Sequence, residues 1–314
     1  MKKIAFMFPG LGSQYPGMGR AFYENYKIVK DTFEEAADTL GIDLARVCFA
    51  PKAEKELAGA ETGRLAMLTI SIAIHRLFME QINIRPQFYL GHSLGSYSAL
   101  CCSGIIDFPG ILDIIRHRGR IVNQVNARVN GMMAWVVNLD SKITEKIVRE
   151  SSQEGAELYI SAYDSPTQVS ISGAKDIVMA TVEKVEKAGG LLYPLKHSGP
   201  YHCPLMHDTI EPFRQVLEKY RFRPPVCPVI SNNDGLPYEV GNGLITNLTY
   251  HLVKPVQWME STRYLVKQGV NITVEMGPNK VLTHLMKSSA NSIKTYSMER
   301  QKDLDLLQET LPEE

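Results

Sequence analysis

The 314-residue sequence has no excess of charge of either sign: Lys and Arg together number 34, and so do Asp and Glu. Without a net field, nothing draws the chain to nucleic acid or to an anionic membrane. Any anionic ligand must be held by a few placed cations. Cysteine is scarce too. Cys48, Cys101, Cys102, Cys203 and Cys227 are odd in number and contain no CxxC pair, which argues against a disulfide scaffold or a zinc ribbon. No apolar run reaches the roughly 20 residues of a membrane helix. The apolar stretch before Pro9 is too short for a signal-peptide core. A cytoplasmic protein is expected, and the sequons at Asn247 and Asn271 are then incidental. Repeats, heptads and low-complexity segments are also missing, and with the balanced charge this leads to the expectation of a monomer.

What is there reads as alternating α and β. Lys3–Phe8 is a short apolar run stopping at Pro9-Gly10, a buried strand entering a loop. Met67–Met79 is apolar almost all round, as a helix inside a large domain would be. Gln87–Leu90 reads as a strand, followed by helices over about 96–102 and 109–125. Residues 132–195 then spell β-α-β-β-α-β, the order of a ferredoxin-like unit, so a small inserted domain is expected at 128–198. The α/β pattern resumes with a strand over Asn271–Glu275 and a last helix after Asn279; the charged tail beyond Arg300 reads as marginal.

Between the Gln87 strand and the next helix stands Gly91-His92-Ser93-Leu94-Gly95. This fits G-x-S-x-G, in which small neighbours let a strained turn lift a serine hydroxyl above the strand ends. A helix N-cap serine is the alternative, but the strand before and helix after are the context a nucleophile requires. Such a hydroxyl needs a base within hydrogen-bond reach. His92 points elsewhere by alternation, and His75 sits in an apolar helix. His202, in the Gly/Pro-rich loop Ser198–His207, is the candidate. The spacing of His197, His202 and His207 suits no metal, and none is expected. Cys203 beside His202 reads as a small buried residue rather than a second nucleophile. Nucleotide binding by the Gly10–Gly19 loop fails because GLGSQY does not complete G-x-G-x-x-G.

The chain resembles the malonyl-CoA:acyl-carrier-protein acyltransferases of fatty-acid and polyketide synthesis. The likeness is carried by Phe8–Gln14, Gly91–Gly95, Arg118-Gly119, Ser165-Pro166 with Gln168, Gly199–His202, Pro255–Trp258 and Gly277-Pro278, in family order over about residues 1–290. It implies an α/β-hydrolase-like large domain, residues 1–127 and 199–314, carrying the ferredoxin-like domain 128–198. Ser93 would then attack an acyl-CoA thioester with His202 as base, oriented by the backbone carbonyl of His251. The N–H groups of Leu11 and Leu94 would form the oxyanion hole, and Arg118 would pair with the malonyl carboxylate. The acceptor would be the phosphopantetheine thiol of an acyl carrier protein. No cofactor beyond the CoA thioester donor is implied. An editing hydrolase using the same Ser93 and His202 is the alternative, against which a carboxylate-binding Arg118 argues; a non-catalytic docking relative would be expected to have lost Ser93 or His202.

Several positions depart from the family pattern. Leu11 stands where glutamine is usual, as does Arg64; Ser96 follows Gly95 in place of glutamate. Asp164 replaces an asparagine, and Asn123 ends the Arg118 motif where glutamine is usual. The catalytic apparatus is expected to be intact and the acyl pocket altered. Arg64 is expected to read a further anionic or polar group, or to pair with Asp164.

Overall fold

The structure, a computed structural model, describes all residues except 1, 51–52, 59–60, 154, 196–197 and 312–314; His197 therefore lies outside the described residues. Strand β1 (Ile4–Phe8) is buried at every position, which suits the middle of a sheet covered on both faces. It is flanked by β2 (Phe88–Gly91) on one side. Four further strands, β3 (Gly131–Val137), β4 (Leu158–Ser165), β5 (Gln168–Ala174) and β6 (Leu191–Pro194), make a second sheet. The first sheet is completed by β7 (Val229–Ile230), β8 (Ile272–Met276) and β9 (Lys294–Met298), in the order β7-β2-β1-β8-β9 with all pairs parallel.

Parallel strands bring their carboxyl ends to one edge, where ligands of open α/β sheets bind. Here the ends of β1, β2 and β8 crowd together. A Cβ added at Gly95 would meet the Phe8 carbonyl oxygen at 2.0 Å, and one at Gly277 would meet Pro9 at 2.6 Å. The helix Thr62–Gln81 is buried almost throughout its first seventeen residues, Thr62–Phe78, and packs on this sheet, with His75 Nε2 3.0 Å from the Tyr89 hydroxyl. The helix Phe108–Asn126 starts where Asp107 accepts a hydrogen bond from the Gly110 N–H, with Pro109 in its first turn.

The second sheet is antiparallel, in the order β4-β5-β3-β6. Along β3 burial alternates. Met132, Ala134 and Val136 turn toward the helices Ser141–Gln153 and Lys175–Lys187, while Met133 and Trp135 turn to the opposite face and line a cavity. That face meets the parallel sheet's carboxyl edge. Two backbone hydrogen bonds of 2.9 Å, Tyr163 N–H to the Val256 carbonyl and Val256 N–H to the Ser161 carbonyl, stitch β4 to the rest of the chain.

The tail beyond Arg300 corrects the expectation of marginal structure. Gln301–Thr310 is a helix whose Leu304 and Leu307 are fully buried, and Asp303 accepts from the Arg300 N–H at 3.0 Å at its start. Its apolar residues fall three apart, and a charged majority hides them in the sequence. Strand β9 and the short helices Leu44–Phe49 and Glu54–Ala58 were likewise not anticipated. No helix among the described residues is long and apolar enough to cross a membrane.

Candidate active site

The turn after β2 is tight. His92 N–H donates to the Phe8 carbonyl at 3.0 Å, and Gly95 N–H donates to the His92 carbonyl at 2.9 Å. A Cβ at Gly91 would fall 2.0 Å from the Gly95 carbonyl carbon, so only glycine fits there. Ser93 itself has φ +50°, left-handed backbone that a non-glycine residue adopts at a cost of about 1–3 kcal/mol. The strain is offset by Asn232, which is buried just after β7. Its Oδ1 accepts from the Ser93 N–H at 2.7 Å and from the Ser96 hydroxyl at 3.1 Å, and its Nδ2 donates to the Gly91 carbonyl at 2.7 Å.

His202 also has positive φ, +60°, and is 3% exposed. Its Nε2 is 2.7 Å from Ser93 Oγ and its Nδ1 2.7 Å from the His251 carbonyl oxygen. A carbonyl only accepts, so Nδ1 carries the proton and the Nε2 lone pair faces the serine hydroxyl. Burial lowers the His202 pKa to about 3, with Arg118 and His92 adding to the effect, and the carbonyl bond opposing it. The ring is therefore neutral, the form a general base requires. The His251 ring lies 5.2 Å from the His202 ring, with Nε2 3.3 Å from Asn232 Oδ1; burial, and then His202, hold its pKa well below the ordinary range.

Ser93 and His202 open on a cavity of about 270 Å³ lined also by Leu11, Arg64, Trp135 and Tyr201. Among the described residues, the backbone N–H groups of Leu11 and Leu94 have no hydrogen-bond partner. The Leu11 side chain is 38% exposed at the cavity.

The two arginines stand differently. Arg118 is 3% exposed, its guanidinium 5.2 Å over the Tyr97 ring and its Nε buried without a partner, and it does not line the cavity. Arg64, 1% exposed, does line it, and its Nη2 donates to the Tyr201 hydroxyl at 3.2 Å. Burial lowers the Arg64 pKa from its ordinary value.

The expected alternative of an Arg64–Asp164 pair is corrected. Asp164 Oδ1 is 2.8 Å from His92 Nε2, and Oδ2 accepts from the Ser170 hydroxyl at 2.6 Å. His92 is thus engaged by Asp164 while lining the same cavity as Ser93 and His202. Cys203 is buried, its thiol donating to the Pro200 carbonyl at 3.1 Å, and burial raises its pKa. Among the described residues no group of three or more His, Cys, Asp or Glu is placed to hold a metal ion.

Two participants were not anticipated. Asn232 lies in Ser231-Asn232-Asn233-Asp234-Gly235, which reads as an ordinary turn. Tyr201 was read only as part of the histidine motif, and nothing in its spacing announces the contact with Arg64.

A parallel α/β sheet with a serine on the turn after β2, and a neutral histidine against it, defines the class: an enzyme built for chemistry at an acyl carbon. The chain belongs to the acyl transferase domain family, whose model matches residues 5–309. The protein is an acyltransferase. It is 35% identical over 315 residues to a malonyl CoA-acyl carrier protein transacylase of Bacillus subtilis, covering all of this chain and 99% of that one. It is 36% identical over 294 residues to the enzyme of the same name from Escherichia coli, covering 93% and 94%. Among solved structures, a malonyl-transacylase in complex with a type II PKS acyl-carrier protein superposes with TM-score 0.93 at 32% identity, covering 98% and 99%. An acyl carrier protein S-malonyltransferase of Vibrio cholerae does so with TM-score 0.91 at 33% identity, covering 98% and 100%.

Proposed function

We propose that the protein transfers a malonyl group from CoA to the phosphopantetheine thiol of an acyl carrier protein, through an acyl-Ser93 intermediate. The names of its relatives support the reaction. The observation that carries the intermediate is the line Ser93 Oγ–His202–His251 carbonyl, with both contacts at 2.7 Å.

In the first half-reaction Ser93 Oγ bonds to the thioester carbon while His202 Nε2 takes the hydroxyl proton, a step worth roughly 10²–10⁴ in rate. The developing oxyanion is received by the Leu11 and Leu94 N–H groups, each worth about 3 kcal/mol at the transition state. The C–S bond breaks, and the CoA sulfur leaves with the proton from His202. The carrier thiol then repeats the sequence in reverse order, freeing Ser93. Arg118 supplies positive charge for the malonyl carboxylate. Every step uses side chains and backbone of this chain, with the CoA thioester as donor.

The β4-β5-β3-β6 order supports reading residues 128–198 as a ferredoxin-like insert. The halves 1–127 and 199–314 then form one α/β-hydrolase-like domain. We take the enzyme to act as a cytoplasmic monomer, in keeping with its balanced charge. The hydrolase alternative finds no support in the names of these relatives.

The test is transfer itself. With malonyl-CoA and a holo-carrier, the carrier should gain a malonyl mass that hydroxylamine removes. A carrier that stays unmodified, or an acylated carrier stripped to its free thiol, would overturn the reading.

A further inference from the structure

Resting on that reading, we infer that Glu299 is a positioning residue for acylation: through Tyr15 it fixes the loop that carries the Leu11 N–H, and through Asn279 a helix that walls the acyl cavity. Glu299 is the first residue past the carboxyl end of β9, and it is buried. Its Oε1 accepts from the Tyr15 hydroxyl at 2.7 Å and from the Asn279 N–H at 3.0 Å. Tyr15 lies in the loop after β1, and Asn279 in the loop after β8. The strands β1, β8 and β9 are neighbours in the sheet, so one carboxylate oxygen ties together the exits of three adjacent strands. Glu299 does not line the cavity, so its influence on the reaction passes through these contacts.

An oxyanion donor is effective only if it is held in place before charge develops. The loop around Leu11 has few means of doing so. Gly12 N–H donates to Gln14 Oε1 at 2.8 Å, a bond internal to the loop. Outward from the same stretch, Gln14 Nε2 reaches the Leu57 carbonyl at 3.5 Å, whereas the Tyr15 hydroxyl reaches Glu299 at 2.7 Å. Burial, and then the Glu299 carboxylate, push the Tyr15 pKa up to about 12, so the hydroxyl keeps its proton and donates. At the other end of the loop a Cβ added at Gly10 would stand 2.6 Å from the His92 carbonyl oxygen. Leu11 is thus suspended between a close approach to the serine turn and the Tyr15 anchor.

The second arm is better supported. Asn279 and Lys280 have φ +75° and +53°, two successive left-handed residues, neither of them glycine. The Asn279 bond to Glu299 holds this turn, and Lys280 Nζ donates to Asp303 Oδ1 at 3.1 Å. The helix Val281–Ser289 begins at once, and its Val281, Leu282 and Leu285 line the cavity. Glu275, on β8, also accepts from the Leu282 and Thr283 N–H groups, at 3.0 and 2.7 Å. The cavity wall therefore keeps a carboxylate support when Glu299 is lost, while the oxyanion loop does not. Loss of Glu299 should fall on the chemical step more than on binding of the acyl donor.

The experiment follows single-turnover acylation of Ser93 by malonyl-CoA in the wild type, Tyr15→Phe, Glu299→Ala and Glu299→Gln. It reads the maximal rate, the half-saturating concentration and the fraction of chains acylated. Removing an oxyanion donor outright costs roughly 10²–10³ in rate, so loosening one should cost less: about tenfold in Tyr15→Phe and up to about a hundredfold in Glu299→Ala. Half-saturation and the fraction acylated should stay at their wild-type values, because a merely destabilised protein loses acylable chains and keeps its rate. Glu299→Gln keeps an oxygen that accepts both bonds and should recover most of the rate. A wild-type rate in Tyr15→Phe would overturn the inference, as would a loss confined to half-saturation, or equal losses in Glu299→Gln and Glu299→Ala. If Glu299→Ala fails to fold, Tyr15→Phe, which removes a single oxygen, decides by its rate. A wild type that takes up no malonyl at all would instead overturn the function proposed above.

Discussion

His202 Nδ1 lies 2.7 Å from the backbone carbonyl oxygen of His251, so the histidine facing Ser93 is oriented by main chain and not by a carboxylate. A carbonyl holds the tautomer without adding a full negative charge, and the His202 ring stays neutral in a site that also feels Arg118. Because the orienting atom belongs to the backbone, replacing the side chain leaves it in place. His251→Ala should retain malonyl transfer to within about tenfold, whereas His202→Ala should lose roughly a hundredfold to ten-thousandfold. Steady-state transfer rates of the two variants check this. Equal losses would show that the His251 ring, not its carbonyl, carries the effect.

Asn232 bridges the strained turn to the residue that follows β7. Asn232→Ala would leave the Ser93 N–H without its partner, at a cost of about 1–3 kcal/mol, and would leave the Gly91 carbonyl only the Ser96 hydroxyl at 3.2 Å. The variant should unfold at lower denaturant concentration and transfer malonyl more slowly, since φ +50° at Ser93 loses its support. Denaturant melts paired with transfer rates give the measurement.

The site shows what a sequence carries and what it hides. The elbow was legible because its two glycines answer to local geometry: neither position admits a Cβ. His202 was legible through its loop motif. Asn232 was not, because its partners lie 139 and 141 residues away and the constraint is purely spatial. The same holds for Asp164, whose 2.8 Å contact with His92 spans 72 residues, and for the Arg64–Tyr201 contact across 137. In the fold, the apolar runs that became β3 and the middle of the helix Thr62–Gln81 announced themselves by composition, while the helix Gln301–Thr310 kept too few apolar residues to do so.

Acid should destabilise the protein in a defined direction. His202 and His75 have folded pKa values lowered by burial to about 3 and about 4, against 6.5 for the free side chain, and His251 is lowered as well. Below pH 6.5 the unfolded chain takes up protons that the folded chain refuses, so the stability present above that pH is lost as pH falls. Glu275, raised by burial from 4.5 to about 7, opposes this by gaining stability as pH falls through the same window. Three groups outweigh one. The melting temperature should drop between pH 7 and pH 5, and drop further in Glu275→Gln; a flat profile in both would contradict the account.

The neutral His202 has a kinetic consequence as well. With its pKa held near 3, acylation of Ser93 should show no titration around pH 6.5. Rapid-quench rates of acylation between pH 5.5 and pH 8, a range chosen to bracket an ordinary histidine at about 6.5, should be level. A fall by half near pH 6.5 would mean the ring gains a proton there.

The central claim is that Ser93 carries the acyl group. The most direct measurement is peptide mapping by mass spectrometry after brief exposure to malonyl-CoA without an acceptor. The account predicts a malonyl adduct on the peptide containing Ser93, absent in Ser93→Ala and discharged when holo-carrier is added. A malonyl mass on another residue, or transfer to the carrier that persists in Ser93→Ala, would contradict it.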